Sequence, residues 1–76
     1  MASYTFTNDG STIKIETGGS TYSITKSNLK LKVADNILYI TDFSGAQNFR
    51  IDVTTDTVSP VSASAEALRS TLAGYI

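Results

Sequence analysis

The feature that most constrains this chain is a regular alternation of apolar and polar residues, interrupted at short intervals by turn residues. Alternate residues of a β-strand point to the same face, so this pattern predicts strands with one buried face. Asn, Asp and Gly at the interruptions indicate tight turns. Six strands are predicted between about residues 3 and 53, with apolar positions in Tyr4–Phe6, Ile13–Ile15, Tyr22–Ile24, Leu29–Val33, Ile37–Ile40 and Phe49–Val53.

The close spacing of these strands predicts how they assemble. Short strands joined by tight turns form antiparallel meanders, which favours a strongly bent sheet or a barrel. The expected fold class is α+β, mainly β: a six-stranded antiparallel, strongly bent or barrel-like sheet with one C-terminal helix. Ile37–Ile40 is apolar on both faces and is therefore expected in the middle of the fold.

A change of period marks the C-terminal helix, which is predicted at about residues 62–75. Residues 54–60 before it are interpreted as a polar connection, because Pro60 has no N–H for a ladder hydrogen bond. Either Ser62 or Ser64 is placed to cap the helix. One apolar stripe along the helix is expected to dock on the sheet or on a neighbouring chain: Val61, Ala65, Leu68, Leu72 and Tyr75.

Length and composition limit how such a fold is stabilised. The chain has 76 residues, so we expect one domain over residues 1–76 with a small core. Cys and His are both absent, which excludes disulfides and the usual zinc sites. Domains of this size usually need such a staple or a partner. Two possibilities remain: a very regular core, or association with copies of itself or with a larger body.

Charge is low overall but unevenly distributed. The formal net charge is −1, too small to attract DNA or an anionic membrane by itself. Residues 1–34 carry four lysines and two acids, a net +2, whereas residues 35–76 carry two arginines and five acids, a net −3. The two halves either pair within the fold or are solvated, or they favour head-to-tail contact between copies.

No residue pattern indicates an enzyme. The chain has no His to activate its serines, and its strand lysines show no sign of the burial that a Ser–Lys pair would need. Asp42, Asp52 and Asp56 are candidates for paired carboxylates or a cation site, but their spacing matches no calcium loop. Asp42 is most simply an Asx-turn residue. We therefore expect no enzymatic activity, no cofactor and no metal.

Nucleic-acid binding and membrane insertion are both disfavoured by the sequence. Lys26, Lys30 and Lys32 form a short basic stripe, but parity assigns the aromatic residues to the core and not to the lysine face. Phe43 is the exception because it lies in a turn, where it either anchors a contact or folds back over the core. The longest apolar run, Ile37–Ile40, is far shorter than the ~20 residues that span a bilayer.

Three segments together resemble a known group of proteins. They are Tyr4–Ile15 (YTFTNDGSTIKI), Leu38–Ala46 (LYITDFSGA) and Thr57–Leu68 (TVSPVSASAEAL). The chain resembles small virion-associated proteins encoded among the structural genes of tailed phages that infect Bacteroidota. The resemblance covers most of the chain and is most specific in Ser59–Leu68. The group offers no catalytic motif and no functional residues to transfer.

The resemblance implies a virion protein made in the host cytoplasm. The expected function is a non-enzymatic structural or interaction component, such as a capsid decoration, neck or tail protein, that self-associates. Its partners would be copies of itself and other virion proteins, with no nucleic acid and no membrane. The candidate contact residues lie near an open sheet edge, in a turn and at the helix tip: Lys30, Lys32, Phe43, Leu72, Tyr75 and Ile76.

A second function stays open on the sequence. The chain would then be a monomeric binding module, similar to a miniature pleckstrin-homology-like barrel, that holds a peptide or lipid headgroup between sheet and helix. That function requires a basic loop at the barrel mouth, where the sequence offers only Lys26 near a turn. Native mass in solution separates the two hypotheses.

Overall fold

Seven strands in two sheets and one C-terminal helix make up the computed structural model, which describes all 76 residues. The four-stranded sheet has the order β3-β2-β1-β7, and the three-stranded sheet has the order β4-β5-β6. The elements are β1 (Ser3–Asp9), β2 (Thr12–Thr17), β3 (Ser20–Thr25), β4 (Leu29–Ala34), β5 (Ile37–Asp42), β6 (Gln47–Asp52), β7 (Thr57–Ser59) and α1 (Ala65–Ala73). The fold is therefore mainly β with a C-terminal helix, as the sequence predicts.

Two antiparallel meanders, β1-β2-β3 and β4-β5-β6, account for the six predicted strands. Their tight turns use residues that tolerate positive φ, among them Gly10 at +62° and Asn36 at +58°. β5 is the central strand of its sheet, which confirms the position expected for Ile37–Ile40.

The six strands do not form one sheet, which corrects the prediction of a six-stranded, barrel-like sheet. Between β3 and β4 the chain makes a single 3₁₀ turn over Lys26–Asn28, and these two strands do not pair. Side chains connect the two sheets in the core, where the rings of Tyr22 on β3 and Phe49 on β6 meet edge to face with centroids 5.2 Å apart. Alternation identifies the buried face of a strand but not its partner, so the sequence could not show this break.

A seventh strand lies where the sequence predicts a polar connection. Thr57–Ser59 pairs in parallel with the start of β1 at the edge of the four-stranded sheet. Pro60 follows this strand, so its missing N–H interrupts no ladder. Val58 is buried and joins the core. A strand of three residues contains too little alternation to be recognised from its sequence.

The core includes the inward faces of both sheets and the apolar side of α1. The helix packs against β4 and β5 through Ala65, Leu68 and Leu72, which are all buried. Val61 is 93% exposed and precedes the helix, so the apolar stripe begins at Ala65 and not at Val61 as predicted. The sheet residues in the same core cluster are Phe6, Ile13, Ile15, Ile24, Leu38, Ile40, Ile51 and Val58.

The helix begins at Ala65 rather than near residue 62 because side chains satisfy its first N–H groups there. Ser64 Oγ accepts a hydrogen bond from the N–H of Ala67 at 3.1 Å, which identifies Ser64 and not Ser62 as the cap. Asn36 Oδ1, in the turn between β4 and β5, accepts a hydrogen bond from the N–H of Ala65 at 3.0 Å. The first N–H groups of a helix otherwise lack partners. Asn36 thereby ties the helix to the three-stranded sheet.

Candidate functional site

The outer face of the three-stranded sheet gathers basic and aromatic side chains from its three strands. Tyr39 on β5 is paired in register with Lys32 on β4 and with Arg50 on β6. Directly opposed residues of an antiparallel sheet share a face, with Cβ atoms about 5 Å apart. Lys30 lies on the same face, opposite Thr41. We call the surface formed by Lys30, Lys32, Tyr39 and Arg50 the basic face.

The cations of the basic face have no acidic partner within this chain. Lys14 and Arg69 form ion pairs, and Lys26 Nζ donates to Asn8 Oδ1 at 2.5 Å. Of the six Lys and Arg residues, the three that make none of these contacts are Lys30, Lys32 and Arg50. A positive patch therefore exists locally on a chain whose net charge is −1.

The aspartates that the sequence offers for carboxylate or cation chemistry serve as backbone acceptors. Their oxygens accept hydrogen bonds from N–H groups in turns and at strand ends: Ser44 to Asp42 at 2.9 Å, Thr54 to Asp52 at 3.0 Å, and Asp52 and Ala2 to Asp56 at 3.1 and 3.3 Å. The bond to Asp42 spans two residues, which confirms the expected Asx-turn geometry. These carboxylates organise the connections before and after β6, and no group of three acids is close enough to hold a metal ion.

Most of the acids of this chain make contacts within the fold. Glu16 and Glu66 are engaged in ion pairs with Lys14 and Arg69, and the three aspartates above accept backbone hydrogen bonds. Asp9 and Asp35, at hairpin turns, are the acids whose side chains make neither kind of contact. The head-to-tail contact between copies that the sequence left open stays a prediction.

Phe43 extends the basic face at one end. Its side chain is 68% exposed, so it does not fold back over the core, which was one of the two outcomes that the sequence left open. Lys30 Nζ lies 5.8 Å from the centroid of the Phe43 ring, within the range of a cation–π contact. The N–H of Phe43 donates to the carbonyl of Asn28 at 3.1 Å, which holds this turn against the start of β4.

The end of the helix presents less surface than predicted. Leu72 is 1% exposed and lies in the chain's own core, so it offers no surface to a partner. Tyr75 is partly buried against the same core, whereas Ile76 is 62% exposed. A contact at the C-terminal tip would therefore be made by Tyr75 and Ile76.

The outer face of the four-stranded sheet is covered mainly by hydroxyl groups. Lys14 lies on this face and forms an ion pair with Glu16 at 3.5 Å. A shallow groove of about 260 Å³ near the turn between β2 and β3 is lined by polar residues and glycine. Ligand sites are usually lined by apolar groups, so we assign this groove no ligand. We call this surface the hydroxyl face, and its residues include Ser3, Thr5, Thr7, Thr21, Ser23, Thr25 and Thr57.

Tyr39 and Arg50 are the site residues that the sequence reasoning missed. Parity assigned Tyr39 to the core, and Arg50 lies on a strand distant from the lysines in sequence. The register places both beside Lys32, which overturns the premise that no aromatic residue shares the lysine face. The two-residue turn Asp35–Asn36 carries the signal that could have found Tyr39, because counting outward from that turn aligns Lys32 with Tyr39.

Comparison with known proteins found no relative of this chain. The chain matches no protein-family model, no curated protein and no solved structure. The single α-helix has nine residues and lacks the length and apolar character to span a membrane. The resemblance to phage virion-associated proteins thus rests on the three sequence segments given above.

Proposed function

We propose that this chain is a non-enzymatic interaction component that contacts its partner through the basic face. The observation that carries the proposal is the row formed by Lys32, Tyr39 and Arg50, in which neither cation is neutralised by an acid of the same chain. Aromatic residues and Arg are enriched in protein interfaces, and unpaired charge attracts a partner of opposite sign. Folding alone does not require such a row on an exposed face.

The proposed setting is a phage virion, with a role in capsid decoration, the neck or the tail. Support for this setting comes from the resemblance of Tyr4–Ile15, Leu38–Ala46 and Thr57–Leu68 to proteins of tailed phages. The partners would include other virion proteins. A small core without any cysteine is also of the kind that association with a larger body stabilises.

Self-association belongs to this proposal and is assigned to the C-terminal tip. Two basic faces repel each other, and Lys30 and Lys32 on the edge strand β4 hinder its pairing with a second β4. Ile76, at 62% exposure, is an apolar group at the tip that is free for such a contact.

Light scattering over a range of concentrations tests both assignments. We expect the native chain to form an oligomer of fixed size, the double variant Lys32→Gln/Arg50→Gln to keep that size, and Ile76→Asp to reduce it. Val61→Asp is the matched control, because Val61 is also apolar and exposed but precedes the helix. A monomer at every concentration would contradict self-association, and a smaller mass for the double variant would make the basic face the self-contact.

The structure offers less support for the alternative, a monomeric module of miniature pleckstrin-homology-like type. Lys26, the basic residue expected at a barrel mouth, is engaged by Asn8. Leu68 and Leu72 are buried where the helix packs on the sheet, which is where that module would hold its ligand. We therefore retain the interaction component as the proposed function.

A further inference from the structure

We infer that the basic face binds single-stranded nucleic acid, an inference that rests on the proposed use of this face and names the chemistry of its partner. Proteins that bind single strands without sequence preference combine cations that contact the phosphates with aromatic rings on which bases stack. An exposed sheet face carrying aromatic residues is one of the surfaces that present this combination to unpaired bases. The basic face, together with Phe43, provides both groups on one side of one sheet.

The spacing of the cations suits a chain of phosphates. Lys30 and Lys32 are two residues apart on β4, which separates them by about 7 Å along the strand. Arg50 lies on β6, on the far side of Tyr39 from Lys32. A strand that passes over the sheet therefore meets positive charge on both sides of an aromatic ring.

Two aromatic side chains lie next to these cations, with different accessibility. Tyr39 is partly buried between Lys32 and Arg50, whereas Phe43 is 68% exposed beyond Lys30. A ring as exposed as Phe43 presents enough surface for a base to stack on it. The ammonium group of Lys30, 5.8 Å from the centroid of that ring, can reach the phosphate of the same nucleotide.

The position of the tightest contacts follows from the distribution of charges along the outer face of the three-stranded sheet. Asp52 is opposite Ile37 at the end of the sheet next to the turn that contains Asp35, whereas Phe43 and Lys30 lie at the other end. Phosphates are repelled by the first end and attracted by the second. We therefore expect the tightest contacts around Phe43, Lys30 and Lys32.

The composition of the face favours nucleic acid over an acidic protein. Lysine is depleted in protein interfaces, yet it provides two of the three cations here. The exposed ring of Phe43 also offers a surface on which a base stacks.

Fluorescence anisotropy with a labelled oligothymidylate of about 15 nucleotides tests the inference on the intact chain. Without sequence readout, we expect Kd between about 10⁻⁶ and 10⁻⁴ M. Three neutralised phosphates predict a slope of about −2 for log K against log salt, which means binding about twentyfold weaker at 200 mM than at 50 mM salt. A slope near zero would overturn the inference, because the cations would then not contact phosphate.

Single substitutions separate the roles of the residues. Lys32→Gln and Arg50→Gln should each bring the slope about 0.7 closer to zero, and Phe43→Ala should weaken binding about tenfold at an unchanged slope. Lys14→Gln is the matched control, since it removes a lysine from the hydroxyl face, and it should leave the slope unchanged. Equal losses in Lys14→Gln and Lys32→Gln would overturn the inference. All four substituted side chains are outside the core cluster, so the variants should remain folded.

Polyglutamate as a competitor distinguishes this inference from the broader proposal. The inference predicts that polyglutamate displaces the oligonucleotide poorly at equal charge, because it offers no bases to stack. Displacement as effective as that by unlabelled oligothymidylate, with Phe43→Ala without effect, would identify an acidic protein as the partner. That result would overturn the inference and leave the proposed function standing. If neither oligothymidylate nor polyglutamate bound to the chain, that result would contradict both the inference and the proposed function.

Discussion

The two outer faces of this molecule are built alike but carry different chemistry. Each belongs to a mainly antiparallel sheet whose other face enters the common core, and each is composed of alternate strand residues. On the hydroxyl face, Lys14 is matched by Glu16 and most other positions are Ser or Thr. On the basic face, the cations flank Tyr39 and meet no acid of the chain.

The difference shows what folding requires of an exposed sheet face and what it does not. Threonine suits a solvated strand because it is β-branched and polar. A surface ion pair on the same face changes the free energy of unfolding very little. Three unmatched cations on one sheet face instead repel one another slightly. Under the proposed function these cations serve a partner of negative charge and not the stability of the fold, and this contrast can be tested.

The largest effect is expected from breaking the core that supports both faces. Leu72→Asp places a carboxylate at a position that is 1% exposed, which costs several kcal/mol and is comparable to the ~5 kcal/mol stability of a small domain. We expect the circular dichroism spectrum of this variant to be that of an unfolded chain. Ile76→Asp, at a residue 62% exposed, should stay within about 0.5 kcal/mol of the native chain. If Leu72→Asp folded normally, the helix would not pack as described.

An intermediate effect is expected at the link between the helix and the sheet that bears the basic face. Asn36→Ala removes the acceptor for the N–H of Ala65 and places alanine at φ +58°, so we expect a loss of about 2 kcal/mol in urea unfolding. Asn36→Gly tolerates that φ and, like Asn36→Ala, loses the side-chain hydrogen bonds to the N–H of Ala65 and to Thr54 Oγ1, so we expect a loss of about 1 kcal/mol. Equal losses of unfolding free energy in the two variants would show that the positive φ at residue 36 does not contribute to the effect of Asn36→Ala.

A smaller effect compares one lysine from each face. Lys14→Gln removes the ion pair with Glu16 and should lower stability by about 0.2–1 kcal/mol at low salt. Lys32→Gln removes a charge near Lys30 and Arg50, so stability should be unchanged or slightly higher. Both differences should shrink in urea unfolding at high salt, because salt screens surface charge. A clear loss of stability in Lys32→Gln would mean that the basic face serves the fold.

The smallest effect concerns Tyr4, on the inner side of the four-stranded sheet. Partial burial, with a further contribution from the charge of Asp56, raises the pKa of the Tyr4 hydroxyl. An acid whose pKa is higher in the folded state stabilises the fold below its unfolded pKa, about 10 for Tyr, and this stability is lost as pH rises through the folded pKa. Tyr4→Phe should therefore lose less stability than the native chain above about pH 10 in denaturant titrations. Identical pH profiles would contradict a role for Tyr4 ionisation.

Local sequence predicted most elements of the fold but not their assembly into sheets. The alternation through Ile13–Ile15 and the apolar run Ile37–Ile40 both identified strands correctly, because each strand buries at least one face. The helix signal was correct in its Ala65–Leu72 part, but its start depended on Asn36, which is distant in sequence. β7 was missed because three residues contain too little alternation to be recognised as a strand, and only the pairing with β1 identifies it.

The candidate site was predicted only in part, for the same reason. Lys30, Lys32 and Phe43 were identified from one stretch of sequence, and the structure keeps them together. Leu72 was included because a helix stripe does not reveal which of its residues meet the chain's own sheet. Tyr39 and Arg50 are identified as site residues only by the strand register, which places them beside Lys32.

The sequence by itself determined six of the seven strands, the presence of the C-terminal helix and the absence of cysteine and histidine chemistry, because alternation, helical period and composition act locally. Tertiary structure alone decided that the strands divide into two sheets and that Tyr39 lies between Lys32 and Arg50. Pairing between strands depends on contacts between residues far apart in the chain, and a shift of one residue would reverse every side chain. That dependence is why the basic face becomes visible only in the folded molecule.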